Sequence, residues 1–196
     1  AAGIPTGLTC KGIVFHIIDD FETFKSTNDL NDSNLNGYQE KHGLVVSTKK
    51  GNNFGTVAAA DIEQAFIDGN VEKYTDTETS NGYKLTQILV GTENLGFIAL
   101  NNHTEKLNNS TAWYAPSFNE LKYLIQGENT QTGSTSGQEY INKQLKKINA
   151  DELAGTIPSV TFYNGVGDHG LRLMTGGSEN GWHGIPGEAF YPICAF

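Results

Sequence analysis

The segment Trp113-Tyr114-Ala115-Pro116-Ser117-Phe118-Asn119-Glu120-Leu121 carries the clearest local signal in this chain. It predicts a helix that begins after Ser117, because a serine followed three residues later by a glutamate forms a capping box. In that motif each side chain accepts a hydrogen bond from the other residue's backbone N–H. Pro116 suits the position just before a helix and not its interior. The apolar residues that follow share one helical face: Phe118, Leu121, Leu124 and Ile125.

Other helix signals fill the middle of the chain. The spacing of Leu85, Ile88 and Leu89 predicts a helix that starts after Asn81. Ser136 with Glu139 reads as a second capping box, which would begin another helix at this point. Weaker patterns predict helical pieces at residues 58–67 and from residue 97 toward residue 107.

Strand signals lie near both ends. Residues 13–18 are apolar throughout, which is typical of a strand covered on both faces, and residues 43–47 predict a second strand. Three more strands are expected late in the chain, at residues 160–163, 171–174 and 189–196. The polar run of residues 21–38 predicts an exposed loop. Strands at both ends around central helices predict an α+β domain.

Bulk composition favours a single domain over residues 1–196, with residues 1–10 as an N-terminal tail or linker. The 196 residues are enough to bury a core without metal or disulfide staples. No apolar run approaches eighteen residues, so no segment is expected to span a membrane. The residues after Ala1 lack a signal-peptide pattern, and we expect such a peptide to be absent or already removed.

The charge balance disfavours polyanionic partners. The formal net charge is −9 with only 13 basic residues, of which Arg172 alone is an arginine. Binding to nucleic acid or to an anionic membrane needs clustered cations. The nearest approach to a cluster is a set of lysines placed on the wet face of a predicted helix: Lys143, Lys146 and Lys147. We therefore expect neither nucleic acid nor a membrane as partner.

Four patches of sequence match one known family. Residues 113–121 correspond to its Trp-Tyr-Leu-Pro-Ser-x-x-Glu-Leu helix start, and residues 81–86 to its Asp-Gly-Tyr-x-x-Thr helix start. Residues 43–47 match its Gly-Leu-Val-Val-Ser strand, and residues 191–196 its Arg-Pro-Val-Leu-Ala-Phe end. On these patches the chain resembles the Lcl C-terminal-like domain of many Bacteroidetes surface proteins, a branch of the C-type-lectin-like fold.

Two positions depart from the family pattern. Tyr191 stands where family members usually carry arginine, and Thr161-Phe162-Tyr163-Asn164-Gly165 stands for the usual Tyr-Trp-Ser-Ser-Thr. Both departures fall where an extended loop is expected to meet the sheet. Contacts carried over from the family at these two places are therefore in question.

The resemblance implies that the first and last strands pair antiparallel, with residues 11–19 beside residues 188–196. That pairing would bring Cys10 and Cys194 close enough for a disulfide. Geometry permits a bridge at only some registers, so the alternative of two unpaired cysteines acting as small hydrophobic residues stays open.

Catalytic and metal-binding patterns are weak. His16 lies in an apolar strand and favours a packed role, while His42, His103, His169 and His183 show no metal-ligand spacing. We therefore predict no enzyme and no catalytic residues. No cofactor is expected either. Calcium is a minor alternative. Residues 164–168 and the pair Asp19 and Asp20 could supply oxygen ligands, but fewer than a calcium site requires.

The glycine-spaced stretch from residue 163 to residue 187 is the predicted ligand-binding face. Glycine allows backbone turns and close approach of a ligand, and an exposed tryptophan suits a sugar face or a partner protein. The candidate residues are Tyr163, Asn164, Asp168, His169, Trp182 and His183. The alternative for Trp182 is that its ring folds over the core. In C-type-lectin-like folds the loop-rich face carries ligand contacts, which favours the binding interpretation.

These observations predict a non-enzymatic, adhesin-like module that is extracellular or on the cell surface, associated with an outer membrane. Its expected ligand is a glycan or a surface protein, and it could belong to a larger adhesin or a fimbrium. Two alternatives stay open. One is a structural subunit of a surface appendage such as a pilus, docked through an exposed strand edge. The other is a phage-type receptor-binding protein.

Overall fold

The computed structural model describes residues 8–30, 41–51, 59–71, 77–91, 97–98, 100, 102–104, 106–165, 168–180 and 189–196. In chain order the elements are β1 (Gly12–Ile18), α1 (Phe21–Thr27), β2 (His42–Ser47), α2 (Ala59–Asp68), α3 (Gly82–Val90), α4 (Phe118–Gln126), α5 (Ser136–Lys147), β3 (Thr156–Gly165), β4 (Asp168–Thr175), β5 (Ser178–Asn180) and β6 (Ile193–Ala195). The chain is a mixed α+β fold, as its sequence predicts, and its described strands form two antiparallel sheets.

The first sheet has the strand order β1-β2-β6. Both outer strands pair antiparallel with β2, and Val45 lies opposite Val14 on one side and opposite Cys194 on the other. The predicted direct pairing of residues 11–19 with residues 188–196 is therefore wrong. β2 takes the centre because residues 43–47 are all buried, whereas β1 is partly exposed along its length. The two terminal strands run parallel to each other with β2 between them.

β1 is an edge strand with one exposed face. The side chains of Val14 and Ile17 are 43 % and 41 % exposed, so the predicted cover on both faces is wrong. Ile13, Phe15 and Ile18 pack against the core, and the register shifts between Val14 and His16. An irregularity of this kind bends a strand and re-aims its side chains.

The second sheet is built on a long hairpin of β3 and β4, with β5 added along β4. Its inner residues join α2 and α3 in one apolar cluster, in which the Phe162 ring meets the Phe66 ring edge-on at 6.4 Å between centroids. Arg172 and Glu179 form an ion pair between β4 and β5. The apolar cluster and this ion pair therefore anchor the base of the hairpin.

Residues 113–118 join the two sheets. Tyr114 forms an isolated bridge with Ile193 of the first sheet, and Val160 of the second sheet donates its backbone N–H to the Pro116 carbonyl at 2.8 Å. The Phe118 N–H donates to the Thr161 hydroxyl at 2.8 Å. The three residues Trp113, Tyr114 and Ala115 belong to three different apolar clusters.

The capping box at the start of α4 is confirmed. The Ser117 hydroxyl accepts the Glu120 N–H, and a Glu120 carboxylate oxygen accepts the Ser117 N–H at 2.7 Å. The second capping box is wrong although α5 exists. Thr135 occupies the N-cap position of α5 and makes no side-chain cap bond to the backbone. The Ser136 hydroxyl donates to the Gln126 carbonyl at 2.6 Å. The Gln126 carbonyl, at the end of α4, therefore competes with the backbone of α5 for the Ser136 side chain.

Most other helices follow the prediction, with one addition. α2 and α3 are confirmed, and residues 97, 98 and 100 are helical, although Leu107 lies outside any helix. Residues 21–27 form α1 instead of the predicted loop. The Asp20 carboxylate accepts the Thr23 N–H, and the Phe24 side chain is buried, so one cap and one apolar anchor fix this short helix.

The two cysteines are free thiols, so the disulfide between Cys10 and Cys194 does not form. Cys10 precedes the edge strand and is partly exposed, whereas Cys194 is buried in β6 on the far side of β2. The alternative of a small buried hydrophobic residue fits Cys194, which packs with Val45 and Trp113.

Candidate functional site

Four of the six predicted ligand-binding residues lie at the tip of the β3–β4 hairpin. The backbone register places Tyr163 opposite Gly170, Asn164 opposite His169 and Gly165 opposite Asp168. The predicted residues Trp182 and His183 lie outside the described residues. The hairpin tip, defined as residues 163–165 and 168–170, therefore groups residues that are up to seven positions apart in sequence.

A second candidate is a polar cleft beside β1 and α1, with a volume of about 400 Å³. Its lining comes from four separated parts of the chain: His16, Ile18, Asp19, Asp20, Thr23, Phe24, Thr27, Leu44, Glu78, Thr79, Ser80, Asn119 and Tyr123. We call it the β1–α1 cleft. Of this set, the sequence singles out Asp19 and Asp20 as weak calcium ligands and His16 as a packed residue, and it marks none of them as a binding residue. No local motif marks a site assembled from such distant segments.

Side-chain contacts fix the walls of the β1–α1 cleft. The His16 ring stacks on the Tyr123 ring at 3.9 Å between centroids, and His16 Nδ1 lies 3.0 Å from Glu128 Oε2. The packed role predicted for His16 is confirmed by these contacts. Across the cleft the Asn119 amide donates to the Ser80 hydroxyl at 3.1 Å.

Carboxylates line the β1–α1 cleft, and none of the described residues in its lining is a lysine or an arginine. Glu78 is bonded to Lys122 at 2.7 Å. Thr23 donates to both Asp20 oxygens, and these bonds lower the pKa of Asp20. The Asp19 carboxylate has no hydrogen-bond or ion-pair partner among the described residues, and it is the acceptor left open to a ligand.

An apolar groove of about 570 Å³ lies on the outer face of the first sheet. Its floor contains Val14, Val45, Leu107 and Phe196, and Lys41 and His42 stand among its polar lining. It adjoins the exposed face of β1. The groove offers apolar contact area and few hydrogen-bonding groups.

Among the described carboxyl groups, the one whose pKa is raised most serves the fold and not a cleft. Glu120 is fully buried, and it accepts hydrogen bonds from the Ser117 N–H and from the Tyr114 hydroxyl, the latter at 3.1 Å. Burial raises the pKa of Glu120 to about 7, and its hydrogen bonds only partly offset this. Burial and the neighbouring Glu120 also raise the pKa of Tyr114 well above its usual range.

Among the described residues, no group of three or more His, Cys, Asp or Glu side chains is placed to hold a metal ion. No helix in the described ranges is long and apolar enough to cross a membrane. Comparison of the chain with family models, with curated proteins and with solved structures found no match.

Proposed function

We propose that this chain is a non-enzymatic recognition module of an extracellular or cell-surface, adhesin-like protein, and that it binds a glycan or a surface protein through the hairpin tip. One observation carries the proposal. The register of β3 and β4 sets Asn164 opposite His169 and brings Tyr163 and Asp168 to the same end of the hairpin. Amide, carboxylate, imidazole and phenol groups together supply the donors and acceptors that sugars and polar protein surfaces require.

The base of the hairpin supports this role. Val160, Phe162 and Leu171 are completely buried just before the tip, and the ion pair of Arg172 with Glu179 ties β4 to β5. Recognition residues on anchored strands are held more firmly than residues on long loops. The C-type-lectin-like assignment belongs to this proposal, since the resemblance places ligand contacts in the same late part of the chain.

Glycan-array and pull-down profiles of the wild type and of the double variant Asn164→Ala/His169→Ala test the proposal. The substitutions should remove the ligands of the hairpin tip from the wild-type profiles, because they delete the facing pair at the tip. Asn129→Ala is the matched control, since Asn129 is an exposed turn residue away from the hairpin. Identical profiles for the double variant and the control would disprove recognition by the tip.

A second function, as an assembly subunit of a surface appendage, has its own support in β1. An edge strand presents unpaired backbone groups that a neighbouring strand can join, and Val14 and Ile17 add exposed apolar side chains. Light scattering after size exclusion tests this alternative. Assembly that increases with concentration and is lost in Val14→Lys/Ile17→Lys would support it, and a monomer at all concentrations would rule it out.

A further inference from the structure

We propose that the β1–α1 cleft is a second binding site, which takes one ring of a neutral, hydroxyl-rich ligand such as a pyranose unit. The proposal does not rest on the hairpin tip, because no cleft-lining residue belongs to β3 or β4. The cleft volume of about 400 Å³ falls within the usual range of small-molecule sites.

The cleft lining has both apolar and polar groups. A sugar ring likewise has an apolar C–H face and polar hydroxyl groups. Ile18 and Tyr123 are partly exposed and contribute apolar surface, on which the C–H face of a pyranose can pack, whereas the lining residues Phe24 and Leu44 are buried. Around them stand carboxyl, amide and hydroxyl groups that can exchange hydrogen bonds with ring hydroxyls. A purely apolar ligand would leave the Asp19 carboxylate without a hydrogen-bond donor.

Charge narrows the class of ligand. The cleft has three lining carboxylates, and no lysine or arginine is among its described lining residues, so phosphates, sulfates and uronic acids are disfavoured. A metal ion is also disfavoured, because no group of three or more His, Cys, Asp or Glu side chains among the described residues is placed to hold one, and Glu78 is already paired with Lys122. The Asp19 carboxylate remains as a hydrogen-bond acceptor that has no partner among the described residues. One open carboxylate beside neutral hydroxyl groups matches a neutral ligand that brings hydrogen-bond donors.

The cleft is also organised before a ligand arrives. The stack of His16 on Tyr123 holds one wall, and the bond from Asn119 to Ser80 holds another. Tyr123 is additionally part of α4, the helix that starts at the buried capping box. Fixed walls lower the entropic cost of binding a small ligand.

Chemical-shift titration of the ¹⁵N-labelled chain tests the proposal. The probes are methyl glucoside, methyl galactoside and methyl mannoside, with glucuronate as the anionic arm and spermidine as the cationic arm. We expect at least one neutral glycoside to shift the amide signals of residues 16–27 and 119–123. Glucuronate should bind more weakly than that glycoside, and spermidine should not compete with it.

Asp19→Asn is the informative variant, because it keeps the shape of the side chain and removes its charge. A hydrogen bond to a charged group is worth enough that its loss should weaken glycoside binding roughly tenfold. Asp151→Asn, at an exposed acid outside the cleft, is the matched control and should bind as the wild type does.

Asn164→Ala/His169→Ala should likewise leave cleft binding unchanged, which separates this site from the hairpin tip. No glycoside-dependent shift in the cleft at the solubility limit would overturn the proposal. Preferential binding of spermidine or glucuronate would overturn the ligand class, and equal affinities of Asp19→Asn and Asp151→Asn would remove Asp19 from the site.

Discussion

Ser117 and Glu120 form a capping box that is completely buried, whereas most such motifs stand at a surface. Burial makes each of the two hydrogen bonds harder to replace, because water cannot reach the freed backbone N–H. The Glu120 carboxylate also accepts the Tyr114 hydroxyl, which links the helix start to the segment between the two sheets. Sequence reasoning found the cap from local spacing alone.

Ser117→Ala should lower the free energy of unfolding by about 1–2 kcal/mol, since a buried N–H loses its acceptor. Thr135→Ala is the control, because the Thr135 side chain makes no cap bond to the backbone of α5. That variant should change stability by less than about 0.5 kcal/mol. Urea unfolding measures both, and equal losses would contradict the structural role assigned to Ser117.

Glu120 should make stability depend on pH. Its folded pKa of about 7 lies above the ordinary value of 4.5, so the folded state holds the proton more tightly than the unfolded state. The contribution is fully present below pH 4.5, is lost as the pH rises through 7, and amounts to about 3 kcal/mol. Tyr114 faces the carboxyl and stays neutral in this range.

Glu120→Gln isolates this effect, because glutamine has the same shape and does not titrate. The difference in unfolding free energy between the wild type and Glu120→Gln should change steadily from about pH 4.5 to about pH 8 and level off above that, because the folded-state carboxyl is only half ionised at pH 7. Urea unfolding in a series of buffers gives both curves. A difference that does not vary with pH would show that Glu120 keeps one protonation state throughout.

Cys10 and Cys194 should differ in reactivity. The thiol of Cys194 is buried, and burial raises its pKa to about 12, so little of the reactive thiolate forms. A thiol reagent should modify Cys10 in the native protein and Cys194 only after unfolding. Two thiols should titrate under denaturing conditions without reductant. Fewer than two would restore the disulfide that the resemblance implied.

At the scale of elements, the crossing of α4 and α5 depends on Gly137. A Cβ atom at this position would lie 2.7 Å from the Leu124 carbonyl oxygen and 2.8 Å from the Tyr123 carbonyl oxygen. Both are backbone atoms of α4, which cannot move aside without disturbing the helix. The capping box predicted for Ser136 and Glu139 does not form at this crossing, because the Ser136 hydroxyl donates to the Gln126 carbonyl of α4 and not to its own helix.

Gly137→Ala should therefore destabilise the protein by about 1–3 kcal/mol, because the helices must separate to admit a methyl group. Gly91→Ala is the control: Gly91 has an ordinary helical backbone, and an added Cβ would lie 3.2 Å from the Ile88 carbonyl oxygen of the preceding helical turn. That variant should be close to neutral. Thermal unfolding compares the two, and similar midpoints would show that α5 does not approach α4 so closely.

Elements whose signal is local were predictable, and those set by distant partners were not. α3 and α4 follow from apolar spacing within one window, as does β2. α1 was missed because its polar sequence hides a single cap at Asp20 and one buried anchor at Phe24. The place of β1 at the sheet edge could not be read from residues 12–18, because strand order depends on which distant strand pairs with which.

At the scale of the whole molecule, the two candidate sites differ in whether local sequence could predict them. The hairpin tip was predictable because residues 163–170 are close in sequence and rich in polar groups. The β1–α1 cleft was not, because residues such as His16, Ser80 and Tyr123 meet only after the sheet and helices have packed. Their separation in sequence leaves no spacing to recognise.

Removal of residues 192–196 should abolish cooperative unfolding. It deletes β6 and exposes Val45 and Trp113, which pack with Cys194 at the outer face of the first sheet. It also removes the Ile193 carbonyl that accepts the Tyr114 N–H. Near-ultraviolet circular dichroism and urea unfolding measure the outcome. A sharp transition with native aromatic signals would show that the first sheet is stable without β6.

The strand order β1-β2-β6 also governs how fast the chain can reach its native state. Val46 pairs with Ile193 across nearly 150 intervening residues, so the first sheet is completed by a very long loop closure. Contacts this far apart raise contact order and slow folding. During synthesis on the ribosome, β1 and β2 must wait as an incomplete hairpin until the last strand emerges, and chaperones would find that intermediate with its apolar faces uncovered.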